Sequence, residues 1–79
     1  MKYKVGDIIR THYGNKHFNG CIVETYVTAL GKDRYIVKPE DGVTLSHSQF
    51  ERHGTHITFD RAIELVVRKT TLPEDLFTL

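Results

Sequence analysis

Val5-Gly6-Asp7-Ile8-Ile9 stands near the start of the chain, and Gly20-Cys21-Ile22-Val23, Tyr35-Ile36-Val37 and Asp41-Gly42 follow it at short, fairly regular intervals. The apolar content is β-branched or aromatic, and glycine-containing turns separate the runs. Short runs of this kind bounded by turn residues read as antiparallel strands. Packed into 79 residues, they predict a mainly β fold, a small and strongly bent barrel. A chain of this length is one domain with a thin core.

Outward from those runs, the first strand is expected over Val5 to Tyr13, with a turn or bulge at Gly6-Asp7. Residues 14–20 read as a polar loop bounded by Gly14 and Gly20. Cys21 to Ala29 is rich in β-branched and aromatic residues and forms the second expected strand. Leu30-Gly31-Lys32-Asp33 reads as a hairpin turn. Arg34 to Lys38 is the third strand, stopped by Pro39, which cannot donate to a ladder. Glu40-Asp41-Gly42 is a tight turn, and Val43 to Ser46 would be a fourth strand. A single helical turn is expected over Ser46 to Glu51, anchored by Phe50. Ile57 to Phe59 alternates as a strand. Asp60 could cap a helix, but Val66-Val67 favours a closing strand from about Ala62 to Lys69. Thr71-Leu72-Pro73-Glu74 has capping-box spacing, which predicts a short helical or extended tail. The division is therefore 1–70 for the barrel and 71–79 for a tail or lid.

Composition narrows the function. Apolar residues make up 39% and charged residues 27%, the balance of a soluble globular protein. No apolar run approaches the roughly 20 residues that cross a bilayer. Met1-Lys2-Tyr3-Lys4 leads directly into a strand pattern, without the apolar core of a signal peptide. Cys21 is the single cysteine, so no intramolecular disulfide forms. These features place the chain in the cytoplasm as an expectation. The formal net charge is +1, but it is unevenly spread. Residues 1–38 carry seven Lys/Arg against three Asp/Glu, and residues 39–79 carry four against seven. A basic face and an acidic face follow if the halves stay apart; interleaved strands would mix them.

The runs quoted above resemble the scaffold of SH3-like small barrels, the group that includes the KOW and Tudor families. The resemblance covers roughly residues 4–52 and implies a single five-stranded antiparallel barrel. It carries over no functional residue, because none of the matching positions is one. It implies a binding module and leaves the ligand open.

Catalysis and metal binding find little support. Ser46-His47-Ser48 places hydroxyls beside an imidazole, but neighbours on a strand point to opposite faces. No nucleophile elbow, phosphate loop or dinucleotide fingerprint is present. Cys21 is expected to pack in or near the core as an inert thiol. The five histidines, His12, His17, His47, His53 and His56, lack paired metal-ligand spacing, although His53 and His56 with Cys21 could supply three ligands of the four that zinc needs. The expectation is a non-enzymatic module with no cofactor and no metal.

Two partner surfaces remain. The first expects nucleic acid, or a protein of a nucleic-acid-handling complex, on Arg10, Tyr13, Lys16, His17, Phe18, Lys32, Arg34 and Lys38. Cations neutralise phosphates and rings stack on bases. The competing reading makes Tyr13 and Phe18 core plugs. The 13–20 and 30–35 segments also fall at opposite ends of the second strand, so they need curvature to act together. The second surface is the acidic-hydrophobic tail, Glu74, Asp75, Leu76 and Phe77, which is similar to peptides that dock on DNA sliding clamps. It would make the chain a protein–protein adaptor or inhibitor, working through the tail or a sheet edge. The competing reading, and the preferred one, is that Leu72, Leu76 and Phe77 form a lid over an open end of the barrel. Either role suits a phage or mobile-element accessory protein.

Overall fold

The computed structural model describes residues 1–43 and 54–69. Five antiparallel strands make one sheet: β1 (Ile8–Tyr13), β2 (Lys16–Val27), β3 (Asp33–Pro39), β4 (His56–Thr58) and β5 (Ile63–Arg68). Their order across the sheet is β4-β3-β2-β1-β5. A three-residue 3₁₀ turn, Asp60–Ala62, joins β4 to β5. The described residues include no α-helix, and no helix long and apolar enough to cross a membrane. The mainly β reading holds. The expected barrel closure does not: among the described residues β4 and β5 are the two edges of an open sheet.

β2 is the spine. Its first half pairs with β1, from Tyr13↔Lys16 to Ile8↔Cys21. Its second half pairs with β3, from Gly20↔Pro39 to Val27↔Asp33. Between Ile22 and Glu24 the register slips at Val23. An extra residue of this kind bends a strand and increases its twist. One long strand therefore serves two differently inclined halves of the sheet.

The expected loop over 14–20 is corrected. Tyr13 pairs directly with Lys16, so the connection is only Gly14-Asn15, with Gly14 at φ +57°. A two-residue hairpin needs positive φ, and Gly-Asn supplies it. Lys16 to Gly20 belong to β2, where Phe18, Gly20 and Ile22 face inward and His17, Asn19 and Cys21 face outward. Cys21 is thus half-buried on the outer face, contrary to the expected core position. The first strand starts at Ile8 because Lys4 to Asp7 form a turn. The Asp7 amide donates to the Lys4 carbonyl, and the Lys4 amide donates to the Asp7 carboxylate. The closing strand over 62–69 is present as β5. Glu40 to Val43 form the expected Asp-Gly turn, closed by the Val43 amide on the Glu40 carbonyl. The expected strand to Ser46, the turn over 46–51 and the tail over 71–79 lie outside the described residues, apart from Val43.

The core consists of Ile9, Phe18, Ile22, Tyr35, Val37 and Ile63, flanked by Tyr3, Val43 and Val66. These are the inward positions of four strands, as period-two alternation requires. Thr11 and Thr58 are buried with them and are satisfied as a pair. Their hydroxyls lie 3.0 Å apart, and Thr11 Oγ1 donates to the Ala62 carbonyl at 2.8 Å. That leaves Thr58 as donor to Thr11, since a hydroxyl has one hydrogen. β1 and β4 are not ladder neighbours, so this bond shows how far the open sheet curls over itself.

Candidate nucleic-acid interface

A cleft of about 370 Å³ opens between the β2–β3 turn and the 3₁₀ turn. Lys32, Asp33, Arg34, Phe59, Asp60 and Arg61 line it. The β2–β3 turn is held by three hydrogen bonds. The Thr28 amide donates to the Lys32 carbonyl, the Gly31 amide to the Thr28 carbonyl, and the Lys32 amide to Thr28 Oγ1. Gly31 sits at φ +78°, a conformation that costs glycine little. On the opposite wall, the Ala62 amide closes the 3₁₀ turn on the Phe59 carbonyl. Lys32 and Arg61 are thus carried on ordered turns.

Between the turns, strand register builds a mixed face. Tyr35 and Val37 point into the core, so Arg34, Ile36 and Lys38 point out. Tyr26 opposes Arg34, and Ile36 opposes Ile57. The Arg34 guanidinium lies over the Phe59 ring at 5.4 Å from its centroid and donates to the Asp33 carbonyl at 2.9 Å. Phe59 is 43% exposed and Tyr26 38%. Rings left this open beside cations are chemically suited to stacking and phosphate contact. Three cations face two carboxylates here, a modest positive balance.

The other expected residues fall elsewhere. Arg10 and His17 lie on the outer face of β1 and β2, and both reach Glu64 of β5. Arg10 Nε is 3.5 Å from Glu64 Oε2, and His17 Nδ1 pairs with Glu64 Oε1. Arg10 also donates to Asn19 Oδ1 at 3.2 Å. Tyr13 is exposed at the hairpin end with its ring against His56, 5.7 Å between centroids. Lys16 and Lys38 are exposed. Phe18 is corrected: at 3% exposure it is a core residue and presents no face to a base. His17 and Tyr26 are nine residues apart on β2, about 30 Å at roughly 3.3 Å per residue. The expected set is therefore not one surface. Lys32 and Arg34 come together at the cleft; Arg10 and His17 share the outer face near Glu64, Tyr13 and Lys16 are a register pair on the face of Thr11 and Phe18, and Lys38 stands opposite Cys21.

Phe59 and Arg61 were missed by the sequence reading. The signal was available: Phe59-Asp60-Arg61 sets a ring beside a cation between two strands, the same criterion applied to the other loops.

The His53, His56 and Cys21 grouping does not form among the described residues. His56 is buried in contact with the Tyr13 and Phe18 rings, whereas Cys21 is on the outer face; His53 lies outside the described residues. No group of three or more His, Cys, Asp or Glu among the described residues is arranged to hold a metal. Burial, and secondarily the charge of His12, hold the His56 imidazole below its ordinary pKa, and its Nδ1 has no hydrogen-bond partner among the described residues. Tyr35 is pushed up to about 12, first by burial and then by the neighbouring Asp60 carboxyl. Its hydroxyl and Asp60 Oδ1 are both buried, and among the described residues neither has a partner at hydrogen-bond distance and angle.

Comparison with protein-family models, with curated proteins and with solved structures gave no match.

Proposed function

We propose that this chain is a small SH3-like, non-enzymatic binding module for single-stranded nucleic acid, acting through the Lys32–Arg34–Phe59–Arg61 cleft. The five-stranded antiparallel sheet with a bent central strand supports the scaffold. The observation that carries the function is the pairing of exposed Phe59 and Tyr26 with Arg34 between two cation-bearing turns. Single strands are favoured over duplex because unstacked bases offer their faces to rings. A cytoplasmic location remains part of this proposal.

Fluorescence anisotropy with labelled single-stranded DNA and RNA tests it. Three phosphate contacts would give a log–log salt slope of about −2, from roughly −0.7 per contact on single strands. Phe59→Ala should weaken binding by about 1–3 kcal/mol if one base stacks there. Lys32→Glu with Arg34→Glu and Arg61→Glu should abolish it while leaving the circular dichroism spectrum intact. Absence of binding at low salt overturns the proposal.

A second reading, a protein adaptor working through a sheet edge, is favoured by β5. This edge strand exposes Leu65 and Val67 on either side of Val66. Recovery of a stoichiometric protein that survives nuclease treatment, together with no oligonucleotide binding, would select it.

A further inference from the structure

We propose that His12 and His17 form a two-nitrogen site for a divalent transition metal of the zinc or copper(II) class, oriented by Glu64. The two histidines are direct cross-strand partners in the β1–β2 hairpin. They lie on the outer face, beside a two-residue turn that fixes their register. Their ring centroids are 5.5 Å apart, with planes inclined by 32°.

That separation fits shared ligation. A zinc–nitrogen bond of about 2.0–2.1 Å places the metal about 3.2 Å from each ring centre. Two rings at that radius and 5.5 Å apart subtend roughly 120° at the metal, near the tetrahedral value. Two protein nitrogens leave the remaining positions to water or to a ligand group, so the site is open.

Glu64 supplies what a bare histidine pair lacks. It crosses from β5 to bond His17 Nδ1 and is itself held by Arg10. A carboxylate on one ring nitrogen fixes the tautomer and leaves the other, Nε2, as the metal donor. Imidazole ligands favour zinc, copper and nickel over magnesium or calcium. Glu64 therefore orients the site without being one of its ligands. This site lies on the outer face of β1 and β2, whereas the cleft opens between the β2–β3 turn and the 3₁₀ turn, and the proposal stands independently of the nucleic-acid reading.

The test is titration of the untagged chain with Zn²⁺ and Cu²⁺ by isothermal calorimetry, with Mg²⁺ as control. One metal per chain is expected, with no heat from Mg²⁺. His12→Ala and His17→Ala should each abolish binding. Glu64→Gln should weaken it by about tenfold, the lower end of the usual loss for an outer-shell partner. Paramagnetic broadening of histidine ring protons by substoichiometric Cu²⁺ provides a readout that needs no variant. Broadening centred on His12 and His17 supports the site. No binding up to millimolar metal, affinity unchanged by His12→Ala or His17→Ala, or broadening confined to other histidines would overturn it.

Discussion

Gly20→Ala tests whether the bend of β2 depends on close backbone approach. Gly20 occupies the one stretch where β2 is paired on both sides, opposite Ile9 and Pro39. A Cβ there would lie 2.5 Å from Val37 Cγ1 and 2.7 Å from the Lys38 carbonyl oxygen. A rotamer change could move the Val37 methyl. The carbonyl belongs to the β3 backbone, so relieving it requires the strands to separate. Overpacking of this kind costs about 1–3 kcal/mol, and a backbone obstacle places Gly20→Ala near 3 kcal/mol. Against a total stability of roughly 4–12 kcal/mol for this length, that is a large share. At about 4–8 °C per kcal/mol the melting temperature should fall by roughly 12–24 °C. Thermal melts of Gly20→Ala, Val37→Ala and the double variant complete a cycle. If the carbonyl dominates, Val37→Ala gives no rescue and the coupling stays within about 0.5 kcal/mol. A fall of less than about 3 °C, or full rescue by Val37→Ala, would refute the reasoning.

Three further outcomes are expected. Phe18→Ala should cost about 3–5 kcal/mol, the range for a buried phenylalanine; a variant with an unchanged melting temperature would contradict its core placement. His56 is held neutral by burial, so the unfolded chain takes up its proton first. Stability should therefore fall as pH drops below about 6.5 and level off once the folded imidazole is protonated too. A melting temperature independent of pH between 7.5 and 5, or one whose slope survives His56→Gln, would argue against this assignment. Tyr35, raised to about 12, loses its proton first in the unfolded chain. Its contribution is intact below about pH 10 and is lost as pH rises from there toward 12. Alkaline melts that are flat over that window, or a slope retained in Tyr35→Phe, would count against it.

Much of the fold was legible because period-two alternation is a local signal. Tyr35-Ile36-Val37 reads as a strand and is one, with Tyr35 and Val37 inside. The error at 16–20 had a physical cause. Lys16, His17 and Asn19 are polar, and polarity between two glycines resembles a loop. Yet Phe18, Gly20 and Ile22 alternate with them, which is the pattern of a strand with one wet face. Gly14-Asn15 was the matching hairpin signal. Barrel closure was not legible at all. It depends on whether β4 and β5 pair across a three-residue 3₁₀ turn, and no local pattern encodes that.

The cleft was half legible for the same reason. Lys32 and Arg34 stand out as cations beside a turn, a property of neighbouring residues. What makes them a candidate site is Phe59, which lies 25 residues along the chain from Arg34. Only register joins them. Tyr35 pairs with Thr58, so the next positions outward bring Arg34 beside Phe59, while Tyr26 stands across from Arg34 on β2. β2, β3 and the residue that follows β4 thereby place ring, guanidinium and ring in one row at spacings of about 4.8 Å, the ordinary strand separation. The histidine pair and Glu64 obey the same rule on the other half of the sheet, where β1 lies between the strands that carry His17 and Glu64. Both sites are rows across strands. A row of this kind is written in strand register, which the chain specifies through its turns and bulges rather than through any contiguous motif.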